Sequence, residues 1–202
     1  MLKNISRHFT FTPSHIFYIY SGHWEPRFDQ LKDKVEFFNT WDTFPLENLN
    51  LQFYVLVVDD VYNDRLVPQK GLLLKLCTVT IRHASACLIL PLHNFFTKQI
   101  RDARELVLNA NLYIFLNSPQ MKSMAKFFAQ QYFGPEAPRF FELYDNIVAD
   151  SKFKHLVYDA RCSTLNDLRC LSDFARDDEG DEDDFGPIYY VPIKKKKNSA
   201  IF

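Results

Sequence analysis

The chain is predicted to be an α/β protein with three layers, a mostly parallel sheet carrying helices on both faces. Three observations predict this. Several strand-length runs are continuously apolar, as strands covered on both faces are. Stretches with helical spacing separate those runs. The runs also end in polar residues, most abruptly at Phe53 to Asp60, where Phe-Tyr-Val-Leu-Val-Val stops at two carboxylates. Parallel sheets bind ligands at the carboxyl ends of their strands, so that stretch organises the functional argument.

Taken in order, Ile16 to Tyr20 is a short aromatic and apolar strand entered from Thr12-Pro13-Ser14 and ended by Ser21-Gly22. Pro26 opens a short helix through Lys34, with Phe28 and Leu31 on its apolar side. Val35 to Phe38 is a further short strand, and Asn39 to Asn50 reads as a polar loop leading to Phe53. The mixed three and four spacing of Leu72, Leu73, Leu76, Val79 and Thr80 predicts a helix over Leu66 to His83, despite Gly71. Ala84 to Leu92 is a strand tipped by His93-Asn94, and Thr97 to Leu108 is a helix with Arg101, Arg104 and Glu105 toward solvent. Leu112 to Leu116 is a strand closed by Asn117-Ser118-Pro119. Two helices follow, marked by Met121 to Tyr132 and Phe140 to Val148 and divided at Gly134-Pro135. His155 to Tyr158, ending at Asp159, completes the series, with Asp59, Asp60, His93, Asn94, Asn117 and Asp159 expected along one sheet edge. Beyond Ser163 the pattern weakens. Ile188 to Ile193 suits an edge strand only, because Pro192 cannot donate to a ladder.

The 202 residues suffice for one domain with a sizeable core, at 47% hydrophobic and 16% aromatic content. The formal net charge of −1 gives no whole-chain basic footprint for nucleic acid. Charge is concentrated in the tail: seven of the eight residues 177–184 are acidic and Lys194 to Lys197 is a basic run. Residues 1–175 are read as the folded domain and 176–202 as a charged, disordered tail. The lysine run reads as a solvated terminus, with nuclear import or phosphate contact as the alternatives. Cys77, Cys87, Cys162 and Cys170 lack zinc-knuckle spacing and read as reduced thiols. With no leader-like apolar segment at residues 1–15 and no run long enough to span a bilayer, the expectation is an intracellular protein, neither secreted nor membrane-bound.

The order of these pieces resembles the poxvirus-type genome-packaging ATPases of the FtsK/HerA lineage, which are P-loop NTPases. The matching residues are Ile16 to Tyr20 with Trp24-Glu25-Pro26 and Phe28-Asp29; Leu56 to Asp60; Arg82-His83 before Leu88 to Phe96; Arg104 with Leu108-Asn109-Ala110; Phe115-Leu116-Asn117; and Leu156 to Asp159. Together they cover roughly residues 9–175. The resemblance implies a RecA/FtsK-type core, ATP and Mg²⁺ as ligands, DNA and viral capsid proteins as partners, and a homo-oligomeric ring in a virion-associated or nuclear setting. It implies Asp59 as the metal-side carboxylate and Asp60 as the acid that orients water. Asn94 is implied at the nucleotide. His93 stands where the family carries a sensor Gln, and a polar loop residue remains the alternative. Arg104 is implied as an arginine finger, which stabilises charge on a transferred phosphoryl group; a surface helix Arg is the alternative.

The chain departs from the family at one decisive place. A phosphate loop needs Gly-x-x-x-x-Gly-Lys-Ser/Thr, and the five glycines, at 22, 71, 134, 180 and 186, build no such segment. The family's Asn-Pro-Arg turn is Asn117-Ser118-Pro119-Gln120 here, without its arginine. The expected core therefore lacks its first strand and its loop, so that Met1 is an internal methionine of a longer protein or the truncation is genuine. Two functions follow: the Walker-B and sensor part of a DNA-packaging ATPase, inactive by itself, or a non-catalytic relict or assembly protein on the same scaffold.

Overall fold

Residues Tyr54–Asp59 form the strand that their composition predicts, β3, and Tyr54 to Val58 are all at most 3% exposed. In this computed structural model, which describes residues 12–61, 66–92, 103–150, 154–172 and 188–190, the chain forms two compact units, Met1–Ala110 and Asn111–Phe202. Within the first unit β1 (His15–Tyr20), β2 (Glu36–Asn39), β3 and β4 (Cys87–Ile89) make an all-parallel sheet in the order β2-β1-β3-β4.

Alternation along these strands feeds two apolar clusters, one on each face. Phe17, Ile19, Tyr54, Leu56 and Val58 join a cluster with Trp41, Phe44, Leu49, Leu72, Leu73, Leu76 and Leu106. Ile16, Tyr18, Tyr20, Val55 and Val57 join Phe28 and Val35 on the other face. Burial on both faces explains why β1 and β3 read as continuous apolar runs. The predicted α/β class with a mostly parallel sheet thus holds for the first unit.

Several connections differ from their predicted form. The stretch 39–50 is not simply polar, because two 3-10 turns, Trp41–Thr43 and Leu46–Asn50, bury Trp41 and Leu49 while Phe44 is buried between them. The helix opened by Pro26 is a 3-10 helix, Pro26–Leu31, which buries Phe28. The helix predicted from Leu66 starts later, with Gly71 in the left-handed region at φ 76° just before α1 (Leu72–Lys75). A π turn, Leu76–Thr80, joins α1 to α2 (Ile81–His83), so the mixed spacing reflects a helix with a widened turn. Helix α3, Ala103–Leu108, is the described part of the predicted 97–108 helix.

The second unit corrects the prediction of a single sheet. Here β5 (Leu112–Leu116), β6 (His155–Asp159), β7 (Cys170–Ser172) and β8 (Ile188–Tyr190) form a separate antiparallel sheet in sequential order. Two helices, α4 (Pro119–Phe133) and α5 (Ala137–Asp150), lie between β5 and β6. One helix returns the chain to the starting end of a strand and favours a parallel partner, whereas two bring it to the far end and give an antiparallel one. The Gly134-Pro135 break was the visible sign of that extra reversal. Ser118 caps α4 by accepting a hydrogen bond from the Met121 backbone N–H at 3.1 Å, and Pro119 fits the first turn.

The antiparallel register also separates two predicted edge residues. Leu112 pairs with Asp159 and Leu116 with His155, so Asn117 and Asp159 sit at opposite ends of this sheet, about 17 Å apart along the strand. They cannot converge on one ligand. Strand β7 was missed because three residues carry too little pattern, while β8 occupies the edge position that Pro192 permits and places residues 188–190 of the predicted tail in a strand. Among the described residues no helix is long and apolar enough to cross a membrane.

Candidate functional site at the carboxyl edge of the parallel sheet

The order β2-β1-β3-β4 contains a change of direction. From β1 the chain moves outward to β2, then crosses back to place β3 on the other flank of β1. The connections therefore diverge between β1 and β3, and the crevice at the carboxyl ends of such a strand pair is where open α/β sheets bind ligands. Tyr20 and Asp59 are direct cross-strand partners there.

Asp59 ends β3 half-buried, and its Oδ2 accepts a hydrogen bond from the Tyr18 hydroxyl at 2.6 Å. Both side chains lie on the same face, since Tyr18, Tyr20, Val57 and Asp59 follow the same alternation. Burial first, and the Asp59 carboxylate second, push the Tyr18 phenol well above the usual tyrosine range, so it stays a donor across physiological pH. No other hydrogen bond reaches the Asp59 side chain among the described residues.

Asp60 follows in the left-handed region at φ 57° and is exposed. Its position is set from both sides. On one side stands the Tyr18–Asp59 bond; on the other Val61 is 1% exposed and its carbonyl accepts from Trp41 Nε1 at 2.9 Å. Asp60 thus lies exposed between two anchored neighbours. Neighbouring strand ends also turn through positive φ: Gly22, two residues past β1, at φ 102°, which glycine adopts freely, and Thr40, one past β2, at φ 89° and ψ 164°. That last conformation is essentially a glycine region, and strained residues of this kind cluster at functional sites.

Beside the pair stands the segment after β1. Phe28 packs its ring 5.4 Å from Tyr18 and 5.5 Å from Tyr20, which fixes the Pro26–Leu31 helix against the end of β1. Trp24 is 38% exposed, with its ring 6.3 Å from Tyr20 and Lys32 Nζ 4.7 Å from its centroid. Arg27 Nε donates to Glu25 Oε2, and Arg27 also interacts electrostatically with Tyr18 and Asp59.

The other predicted site residues fall elsewhere. Arg104 lies on the exposed side of α3, opposite buried Ala103 and Val107. His93 and Asn94 lie outside the described residues. Asn117 donates from Nδ2 to the Val148 carbonyl at 2.8 Å, which ties α5 to the end of β5. Asp159 is 4% exposed and fully engaged: Arg161 donates from Nε and Nη2, at 2.9 and 2.5 Å, the Arg161 backbone N–H at 3.0 Å, and Thr164 Oγ1 at 2.8 Å. Burial pushes this carboxyl up, and the Arg161 and Thr164 bonds together outweigh it and hold the group below the ordinary aspartate range. Asp159 staples a loop.

Sequence reasoning missed Tyr18, Arg27, Thr40 and Trp41. A signal existed for two of them, because a tyrosine hydroxyl or indole N–H drawn into a core ordinarily finds a polar partner. Thr40 carried no signal, since its residue type opposes its conformation.

Among the described residues no group of three or more His, Cys, Asp or Glu side chains could hold a metal ion. Mg²⁺ is commonly held by one or two carboxylates together with phosphate oxygens and water, so Asp59 fits one corner of such a site. The phosphate cradle is not supplied by any glycine-rich loop of this sequence. Compared with known proteins, the chain matches no family model, no curated protein and no solved structure.

Proposed function

We propose that the chain is the Walker-B and sensor part of a viral or virus-derived DNA-packaging or DNA-translocating ATPase. The observation that carries this reading is the buried parallel strand β3, which delivers Asp59 and Asp60 to the carboxyl edge beside the point where the connections diverge. In this reading Asp59 contributes the carboxylate of a Mg²⁺–ATP site and Asp60, exposed between its anchored neighbours, orients the attacking water. His93, Asn94 and Arg104 keep their sensor, nucleotide and finger roles as part of the same proposal. DNA, capsid proteins and further copies of the chain in a ring are the partners it entails. Strand β4 ends the described sheet, and a further strand bearing a phosphate loop would add along it.

A second reading is a non-catalytic assembly protein on the same scaffold. It is favoured by the Tyr18 hydroxyl on Asp59 Oδ2. Grafting a hydrophobic strand and Gly-x-x-x-x-Gly-Lys-Ser/Thr segment ahead of residue 12 separates the two. The ATPase reading expects Mg²⁺-dependent ATP binding by calorimetry, and turnover that Asp60→Asn abolishes while binding persists. Turnover untouched by Asp60→Asn removes the catalytic assignment, and a folded graft that binds no ATP favours the assembly protein.

A further inference from the structure

The connection between β1 and β2 places one cation in an unusual setting. Arg27 sits in the 3-10 helix Pro26–Leu31, which the ring contacts of Phe28 with Tyr18, Tyr20 and Phe37 hold at the carboxyl end of β1. Its Nε is taken by Glu25, while its side chain remains 76% exposed. Neither Nη1 nor Nη2 has a hydrogen-bond partner among the described residues. The nearby Lys32 differs, because its ammonium is engaged by Asp29 at 2.5 Å and by the Trp24 ring.

An arginine anchored through Nε presents its two terminal amino groups as a preset fork, the geometry that matches two oxygens of a phosphoryl group. Its helix packs at the carboxyl end of β1, and Arg27 interacts electrostatically with Asp59 at the crevice between β1 and β3. A carboxylate alone repels a polyphosphate. Asp59 with a bridging divalent cation and Arg27 on the adjoining phosphoryl oxygens would together neutralise one.

We infer that Arg27 is a phosphate-recognition residue, and that its Nη1 and Nη2 groups bind a phosphoryl group of a polyphosphate chain seated at the crevice between β1 and β3. This rests on the reading of Asp59 as a Mg²⁺-side carboxylate. Glu25 is the positioning residue for Arg27.

The test uses the full chain, Mg²⁺ and inorganic tripolyphosphate, read by tryptophan fluorescence. Trp24 is exposed and Trp41 is 2% exposed, so the titration reports on the crevice side. Saturable quenching is expected, weakened about tenfold or more in Arg27→Gln, as loss of hydrogen bonds to a charged group predicts. Arg27→Lys is expected to recover only part of it, because an ammonium lacks the fork. Glu25→Gln, which loosens the anchor, is expected to weaken binding less than Arg27→Gln does. No saturable quenching by the wild-type chain, or binding equal in wild type and Arg27→Gln, overturns the inference. Binding that depends on Arg27 but neither on Mg²⁺ nor on Asp59→Asn sustains Arg27 and removes instead the reading of Asp59 as a metal carboxylate.

Discussion

Asp59 and Asp159 both close apolar strands, and their sequence contexts, Leu-Val-Val-Asp and Leu-Val-Tyr-Asp, are nearly the same. Their surroundings are opposite. Asp159, 4% exposed, accepts from a guanidinium, a backbone N–H and a hydroxyl, whereas Asp59 receives one phenol and keeps coordinating capacity at the sheet edge. The difference follows from what comes next in the chain. After Asp159 the sequence Ala-Arg-Cys-Ser-Thr returns donors to the carboxylate within five residues. After Asp59 it continues with a second acid and a valine that the core takes. A strand-end acid becomes structural when its own loop satisfies it, and remains open to function when its neighbours are held elsewhere.

The largest test of that contrast is to remove each acid. Asp159→Ala strands Arg161 and Thr164 and is expected to cost about 3 kcal/mol in a urea titration, while Asp59→Ala is expected to cost about 1 kcal/mol or less. Equal costs would erase the distinction. Because its folded pKa is depressed, Asp159 contributes stability above the ordinary aspartate pKa of about 4, and that contribution is lost as pH falls through the folded value. The acid limb of the pH–stability profile is thus expected to flatten in Asp159→Asn, measured by denaturant midpoints between pH 2 and pH 6 or so.

Next in size comes the anchor behind Asp60. Trp41→Phe keeps an aromatic ring in the core but leaves the buried Val61 carbonyl without its donor, at an expected cost of about 1–2 kcal/mol. Amide exchange at residues 60 and 61 is expected to quicken in this variant, and unchanged exchange there would sever Trp41 from the presentation of Asp60. The smallest effect has the other sign. Thr40→Gly relieves a side chain from the glycine-only region and is expected to stabilise the fold by about 1 kcal/mol. A neutral or destabilising result would mean that the edge carries no strain at Thr40.

Much of the first unit was legible in the residues. Continuous apolar runs at 16–20 and 54–58 announced strands buried on both faces, and two carboxylates after the second marked the carboxyl edge of the parallel sheet. The second unit was legible in its elements but not in its topology: β5, α4, α5 and β6 were each anticipated, yet the number of helices between the strands, which sets antiparallel return, was not used. Asn117 and Asp159 went astray for that reason, since local pattern says nothing about which end of a sheet a strand tip occupies. Tyr18, Trp41 and Arg27 escaped because their roles arise from partners 41, 20 and two residues away in the chain, of which only the last is local.

The measurement that bears most directly on the contrast between the two units is backbone amide exchange of the full chain, with and without Mg²⁺ and ATP at millimolar concentration. The account predicts slowed exchange at residues 20–27, 39–40 and 59–61, around the carboxyl edge of the parallel sheet, and unchanged exchange at residues 117 and 159–169. Slowing confined to the Asn117 or Asp159 loops, or no slowing at the parallel edge, would contradict it.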